Sequence, residues 1–193
     1  MTISSSENGS IKRLSFITSP ADGGRTYNNT DLQKSLHALS ASGKVRHFGV
    51  SNFKYHQFNL LQSYLDVKLV TNQIELSAYR LENFEDGTLN HCMEKRILPM
   101  AWSPLAKGII FTDKSKKAVR LRDIINRTAE EIGTDQIGEV LYAWLLTHPA
   151  KIIPITGTGK KERIDQAVNA LKHKLTRDQW FAIFQCSKGH EVP

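Results

Sequence analysis

Five short apolar runs, Leu14 to Ile17, Val45 to Val50, Val67 to Asn72, Leu98 to Trp102 and Ile152 to Ile155, alternate with segments whose apolar residues recur at helical spacing. Repeated strand and helix means parallel strands joined by crossover helices, because a tight turn cannot bring the chain back parallel to itself. Leu32, Leu36 and Leu39 share one helix face ahead of Gly43, a residue suited to ending a helix. Phe58, Leu61 and Leu65 make a second stripe, Ile137, Val140, Leu141, Trp144 and Leu145 a third, and Ile164, Val168 and Leu171 a fourth. Thr176 with Gln179 forms a capping box that opens a last helix carrying Trp180, Ile183 and Phe184. The long interval before the fifth run holds two helices, Lys116 to Ile132 and Gln136 to Thr147. A doubly wound sheet and part of a β/α barrel both satisfy this pattern, and in either a ligand sits at the C-terminal strand ends.

With 193 residues, 40% of them hydrophobic, the chain can build one sizeable core. No apolar run approaches the roughly 18 residues of a membrane span. Met1 to Arg13 is polar, lacks a hydrophobic signal region, and is expected to be a flexible tail ahead of a domain over 14–193. Cys92 and Cys186 cannot make a disulfide scaffold, and the seven histidines show no metal spacing, so reduced thiols in a cytoplasmic, metal-free protein are expected. The net charge of +7 suits an anionic ligand, a nucleic acid or a solvated surface. The cations are not interleaved with aromatics, so a nucleic-acid partner is not expected, and with no apolar run of spanning length a membrane partner is not expected either.

Two groups of residues could carry chemistry. Ile153 to Arg163 runs from a strand through Gly157 and Gly159 into a helix flanked by Lys160, Lys161 and Arg163. Glycines let a backbone approach a ligand closely, and a helix N-terminus attracts anions, so the segment reads either as a phosphate seat or as a glycine-rich turn with solvated lysines. It is not a Walker loop: Lys161 stands where Ser or Thr is required and Pro154 where the first glycine belongs. The second group is Ser51 and Asn52, then Gln73, then Trp102 and Ser103, at successive strand ends. Amides and hydroxyls converging on one rim could hold a heteroaromatic amide under a stacked aromatic. A Ser-Asn pair alone reads better as an N-cap of the following helix and Trp102 as a core residue, and it is the recurrence of such groups at three strand ends that favours the rim.

The segments Gly43 to Phe53, Thr71 to Glu75, Ala101-Trp102-Ser103-Pro104-Leu105 and Pro154 to Thr158 resemble, in order, motifs of the aldo-keto reductase family. The tail ending Gly189-His190-Glu191-Val192-Pro193 is similar to its bacterial YdhF-like oxidoreductase branch. The resemblance implies an α/β fold, part of a (β/α)8 TIM barrel corresponding to strands 4 to 8 with their helices, and NADP(H)-dependent reduction of small carbonyl compounds. It places Ser51, Asn52 and Gln73 at the nicotinamide carboxamide, Trp102 stacked on the nicotinamide, and Ser103, Leu105 and Lys107 near the pyrophosphate. Thr156, Gly157, Thr158 and Arg163 would meet the adenosine 2′-phosphate, and Gln166 the adenine. The turn between Thr156 and Arg163 is longer than in better-known relatives, and Ala167 stands where many carry an amide.

Family chemistry also uses a tyrosine acid tuned by a lysine and an aspartate, with a histidine to orient substrate. In the family the first three come from strands two and three, and the resemblance here starts at strand four. Thr18 occupies the histidine's place, and Tyr27 reads as an exposed turn residue, so no catalytic residue is assigned. The expectation is therefore a chain that keeps the cofactor half and turns over weakly or not at all. The alternative is a non-catalytic nucleotide-binding or protein-interaction module that dimerises through open barrel edges, which leave unpaired backbone groups.

Overall fold

Five parallel strands form one sheet in sequential order: β1 (Lys12–Thr18), β2 (Val45–Ser51), β3 (Leu69–Glu75), β4 (Met100–Trp102) and β5 (Ile153–Pro154). The computed structural model describes residues 12–18 and 29–191; the expected tail up to residue 11, Tyr27 and the last two residues lie outside them. Strictly sequential order decides between the two architectures, because a doubly wound sheet reverses strand order at its midpoint whereas a barrel adds each strand beside the last. The described residues thus form an α/β array matching part of a barrel.

Crossovers are made by α1 (Asn29–Ala41), α2 (Tyr55–Ser63), α3 (Glu82–Glu85) with α4 (Thr88–Lys95), and α5 (Ile109–Thr112) with α6 (Lys116–Ile132) and α7 (Ile137–Thr147). After β5 come α8 (Lys161–Asn169) and α9 (Arg177–Lys188). Local signals behave as expected. Gly43 ends the first helix at φ 70°, Gly133 ends α6 at φ 78°, and the Thr176 hydroxyl accepts from Gln179 N while Gln179 Oε1 accepts from Thr176 N. Two apolar cores result. One joins α1 and α2 to β1 and β2 through Leu36, Phe48, Val50 and Phe58; the other wraps α7, whose Val140 to Leu145 are all buried, with Leu121 and Ile125 of α6. No helix among the described residues is long and apolar enough to cross a membrane.

Strand boundaries depart from expectation for identifiable reasons. β1 begins at Lys12, so Lys12 and Arg13 belong to the sheet and not to a tail. β3 begins two residues late and runs on to Glu75, because the Gln62 side chain donates to the carbonyls of Leu65 and Val67 and accepts from Leu69 N, holding 65–68 as a turn. β5 is only two residues long, since Pro154 has no N–H to donate. At Gly49 the β2–β3 register shifts, and a β-carbon there would meet Thr71 Cγ2 at 2.6 Å and Thr71 O at 3.1 Å. Glycine at this position is a requirement of strand packing.

Candidate functional site

Parallel strands deliver their C-termini to one rim, and register sets which side chains meet there. Ser51 pairs with Gln73, Gln73 with Met100, Glu75 with Trp102, and Ala101 with Pro154. The Ser51 hydroxyl donates to the Gln73 carbonyl at 3.1 Å, and Asn52 N donates to the same oxygen at 2.9 Å. Asn52 then turns left-handed at φ 60°, a conformation Asn tolerates better than most residues, and its Oδ1 accepts from Trp102 Nε1 at 2.9 Å. The ends of β2 and β4 are thereby tied across β3, and the indole plane is fixed. Neither Ser51 nor Asn52 caps α2; Lys54 is its N-cap, with Lys54 N donating to Gln57 Oε1 at 2.8 Å.

Asn72, to which the sequence alone assigns no role, locks this corner. Buried to 2% exposure, it donates from Nδ2 to the Phe53 carbonyl at 2.7 Å and accepts from Phe53 N at 3.4 Å. Its polar neighbours within a motif are the only hint, since a buried amide looks like any other in sequence. Asn72→Ala removes both of these bonds to the Phe53 backbone, so a stability loss of about 1–3 kcal/mol is expected in urea denaturation. A loss below about 0.5 kcal/mol would show that water replaces the amide without penalty.

Beyond Trp102 the backbone is contorted. Ser103 (φ 52°), Ala106 (φ 50°) and Lys107 (φ 55°) are all left-handed, followed by Gly108 at φ 84°. Non-glycine residues in this region cost on the order of 1 kcal/mol each and persist where surroundings impose them. Lys107 Nζ lies 5.6 Å from the Trp102 ring centroid, while Leu105 packs against the larger core. The far end of this segment is pinned by Asp113, a second residue that no sequence motif singles out. Its carboxylate accepts from Ser115 N at 2.9 Å, Ser115 Oγ at 2.6 Å and Tyr79 Oη at 2.7 Å. The Ser115 hydroxyl and N–H, with the Tyr79 phenol, hold the Asp113 carboxyl down to about 2.

The β5 end adjoins the β4 end, with Ile155 N donating to the Ala101 carbonyl at 2.8 Å, so Thr156 stands next along the rim. Thr156 Oγ1 accepts from Tyr142 Oη at 3.2 Å, and Thr158 Oγ1 accepts from Lys160 N at 3.2 Å. No atom lies within 4 Å of a β-carbon placed on Gly157 or Gly159, so this turn has open space above it. Helix α8 starts with no side-chain cap; Lys160 and Arg163 are exposed, and Lys161 pairs with Asp165. Gln166 faces inward: Nε2 donates to Gln136 Oε1 at 2.7 Å, and its Oε1 sits 2.4 Å from where a β-carbon on Gly138 would be. Among the described residues no group of three or more His, Cys, Asp or Glu is arranged to hold a metal.

The rim thus brings Ser51, Asn52, Gln73 and Trp102 into one bonded corner, Ser103, Leu105 and Lys107 onto the turn beyond it, and Thr156, Gly157 and Thr158 onto the adjacent strand end. Comparison with known proteins bears on what this arrangement serves. A profile of the Aldo/keto reductase family matches residues 23–188. The chain is 59% identical over 162 residues to the uncharacterized oxidoreductase YcsN of Bacillus subtilis, covering 84% of this chain and 54% of that protein. It is 47% identical over 163 residues to oxidoreductase YdhF of Escherichia coli, covering 84% of this chain and 53% of that one. The chain spans about half the length of these curated relatives. The crystal structure of a thermostable aldo-keto reductase in complex with the inhibitor epalrestat superposes with a TM-score of 0.79 at 22% identity, over 91% of this chain and 60% of that one, which speaks to fold.

Proposed function

This chain belongs to the aldo/keto reductase family, on its YdhF-like branch, and we propose from that premise that it forms the nucleotide-binding part of an oxidoreductase using NADP(H) on small carbonyl compounds. The observation that carries this reading is the Trp102 Nε1 to Asn52 Oδ1 hydrogen bond, which sets a flat ring beside two amides and a hydroxyl at adjoining strand ends. In this reading Ser51, Asn52 and Gln73 hold the carboxamide and Trp102 stacks on the nicotinamide ring. Ser103, Leu105 and Lys107 line the pyrophosphate. Thr156, Gly157, Thr158 and Arg163 take the 2′-phosphate, and Gln166 borders the adenine. The open space over Gly157 and the exposed Arg163 fit an anionic group there.

A bound reduced nicotinamide supplies a hydride to a carbonyl carbon. The residues of this chain orient that ring and balance the phosphate charge; none is assigned the proton transfer to the carbonyl oxygen. The Tyr79 phenol commits its hydrogen to Asp113. Without a positioned acid, turnover by the chain alone is expected to be about 10²- to 10⁴-fold slower than with one.

Titration with NADPH, followed by tryptophan fluorescence, should show saturable quenching that Trp102→Ala largely removes. Arg163→Ala should weaken NADPH about tenfold or more while leaving NADH little changed. Absence of any response up to about tenfold above a millimolar dissociation constant would sink the nucleotide assignment.

A second reading, self-association through an open sheet edge, is favoured by one observation. Ile153 on β5 is 42% exposed, and Ile164, Val168 and Leu171 at the α8 end are 40%, 56% and 70% exposed. Sedimentation should then give a dimer that Val168→Asp dissociates; a clean monomer with a cooperative melting transition would rule the reading out.

A further inference from the structure

Where the C-terminal end of α7 meets α9 and α3, the fold leaves a cleft of about 460 Å³, within the size range of small-molecule sites. His148 and Pro149, which border it, lead into β5 at the strand's N-terminal side, so the cleft lies toward the opposite end of the sheet from the rim. Its walls are the half-buried rings of Phe84, Trp180, Phe181 and Phe184. Trp180 stacks on Phe184 with centroids 5.3 Å apart and planes 19° apart, and meets Phe181 edge-on at 5.1 Å. Phe84 stands edge-on to Phe184 at 6.2 Å and to His148 at 5.5 Å.

Three polar side chains border these rings, Thr147, His148 and Arg177, and each can donate a hydrogen bond. Arg177 carries the one formal charge in the lining, with no carboxylate beside it there; its guanidinium carbon lies 5.5 Å from the Phe181 centroid, and it forms no ion pair among the described residues. His148 Nδ1 accepts from Ala150 N at 3.1 Å, which assigns the ring proton to Nε2. Burial lowers this imidazole to about 4, so at neutral pH it stays an uncharged donor.

From the aromatic walls and the unopposed Arg177 we infer that this cleft binds a small aromatic carboxylate of one or two fused rings, separate from the nucleotide rim. The ring system lies among Trp180, Phe181 and Phe184, the carboxylate takes the Arg177 guanidinium, and His148 Nε2–H offers a second donor. Neutral flat molecules fill the same walls but leave Arg177 unanswered, and aliphatic acids answer Arg177 but forgo stacking.

The test uses 2-naphthoate on the full chain, with 2-naphthalenemethanol and cyclohexanecarboxylate as controls. The three tryptophans provide resolvable indole N–H signals in a ¹H–¹⁵N spectrum. Naphthoate should shift the Trp180 and Trp144 signals saturably, leave Trp102 unmoved, and bind equally with saturating NADPH. Arg177→Gln, at an exposed helix start, should weaken naphthoate about tenfold or more and leave the alcohol unchanged. Phe181→Ala should weaken both. Equal affinity for naphthoate and the alcohol, shifts confined to Trp102, competition with NADPH, or no saturable shift would each overturn the inference.

Discussion

Replacing Trp144 with alanine will cost about 3–5 kcal/mol of folding stability, because it removes a buried ring together with one half of a reciprocally bonded pair. Trp144 is fully buried in α7 and stacks on Trp180 of α9, with centroids 5.0 Å apart and planes 8° apart. Each indole donates to the other residue's carbonyl: Trp144 Nε1 to Trp180 O at 3.0 Å, and Trp180 Nε1 to Trp144 O at 2.9 Å. The pair therefore joins two helices 36 residues apart in sequence by stacking and by two reciprocal bonds. Alanine opens a cavity against Trp180 and Phe84 and removes the indole donor to the Trp180 carbonyl. Phenylalanine keeps most of the volume and loses only the donor, so Trp144→Phe should cost about 1–3 kcal/mol. For a domain whose whole stability is about 5–15 kcal/mol, the alanine variant is close to unfolding. Denaturant titration checks this; a loss under about 1 kcal/mol would mean that α9 repacks to fill the space.

Glu139→Ala should cost about 3 kcal/mol, because it breaks a buried charged network. Glu139 is 6% exposed on α7, and its Oε2 accepts from Thr134 Oγ1 and from His173 Nε2, each at 2.9 Å. One carboxylate thus ties α7 to the loop before it and to the segment after α8. Burial pushes its titration upward, but hydrogen bonds from His173, Thr134 and Asn169 outweigh burial and hold it below the ordinary value of 4.5. The unfolded chain therefore binds this proton more readily than the folded one. The stabilisation is present in full above about pH 4.5 and is lost as pH falls further. Glu139→Gln should flatten that acid limb of a stability-against-pH curve while costing less than alanine at pH 7. An unchanged limb in Glu139→Gln would place the acid sensitivity elsewhere. Because Gln166 of α8 packs on Gly138 next to Glu139, loosening this joint should also weaken the binding of nucleotide proposed for the Thr156 to Arg163 turn.

Some of the fold is legible in the sequence because its causes are local. Gly43 and the Thr176–Gln179 box act within a few residues of themselves, and the spacing of Val140, Leu141, Trp144 and Leu145 follows from helical geometry alone. The α6 and α7 spans are readable for the same reason. β3 starts two residues later than its apolar run because Gln62, outside the strand, holds its approach as a turn. Ser51 and Asn52, taken alone, fit a helix cap better than a site; Gln73 and Trp102, distant in the chain, draw them onto the rim. Asn72, Tyr79 and Asp113 stay hidden in the sequence because each has a long-range partner that no spacing rule reveals.

The alternation of strand and helix, the helix ends, the family motifs and the residues offered to a rim are all written in the order of amino acids. Strand order, the Asn52–Trp102 tie across β3, the inward turn of Gln166 and the aromatic cleft beside Arg177 emerge only in the folded chain. The division has a physical cause. Caps, turns and periodicity depend on neighbours within about one helical turn. Strand register and side-chain bonds depend on which distant groups packing brings within about 3 Å, and that is a property of the folded chain as a whole.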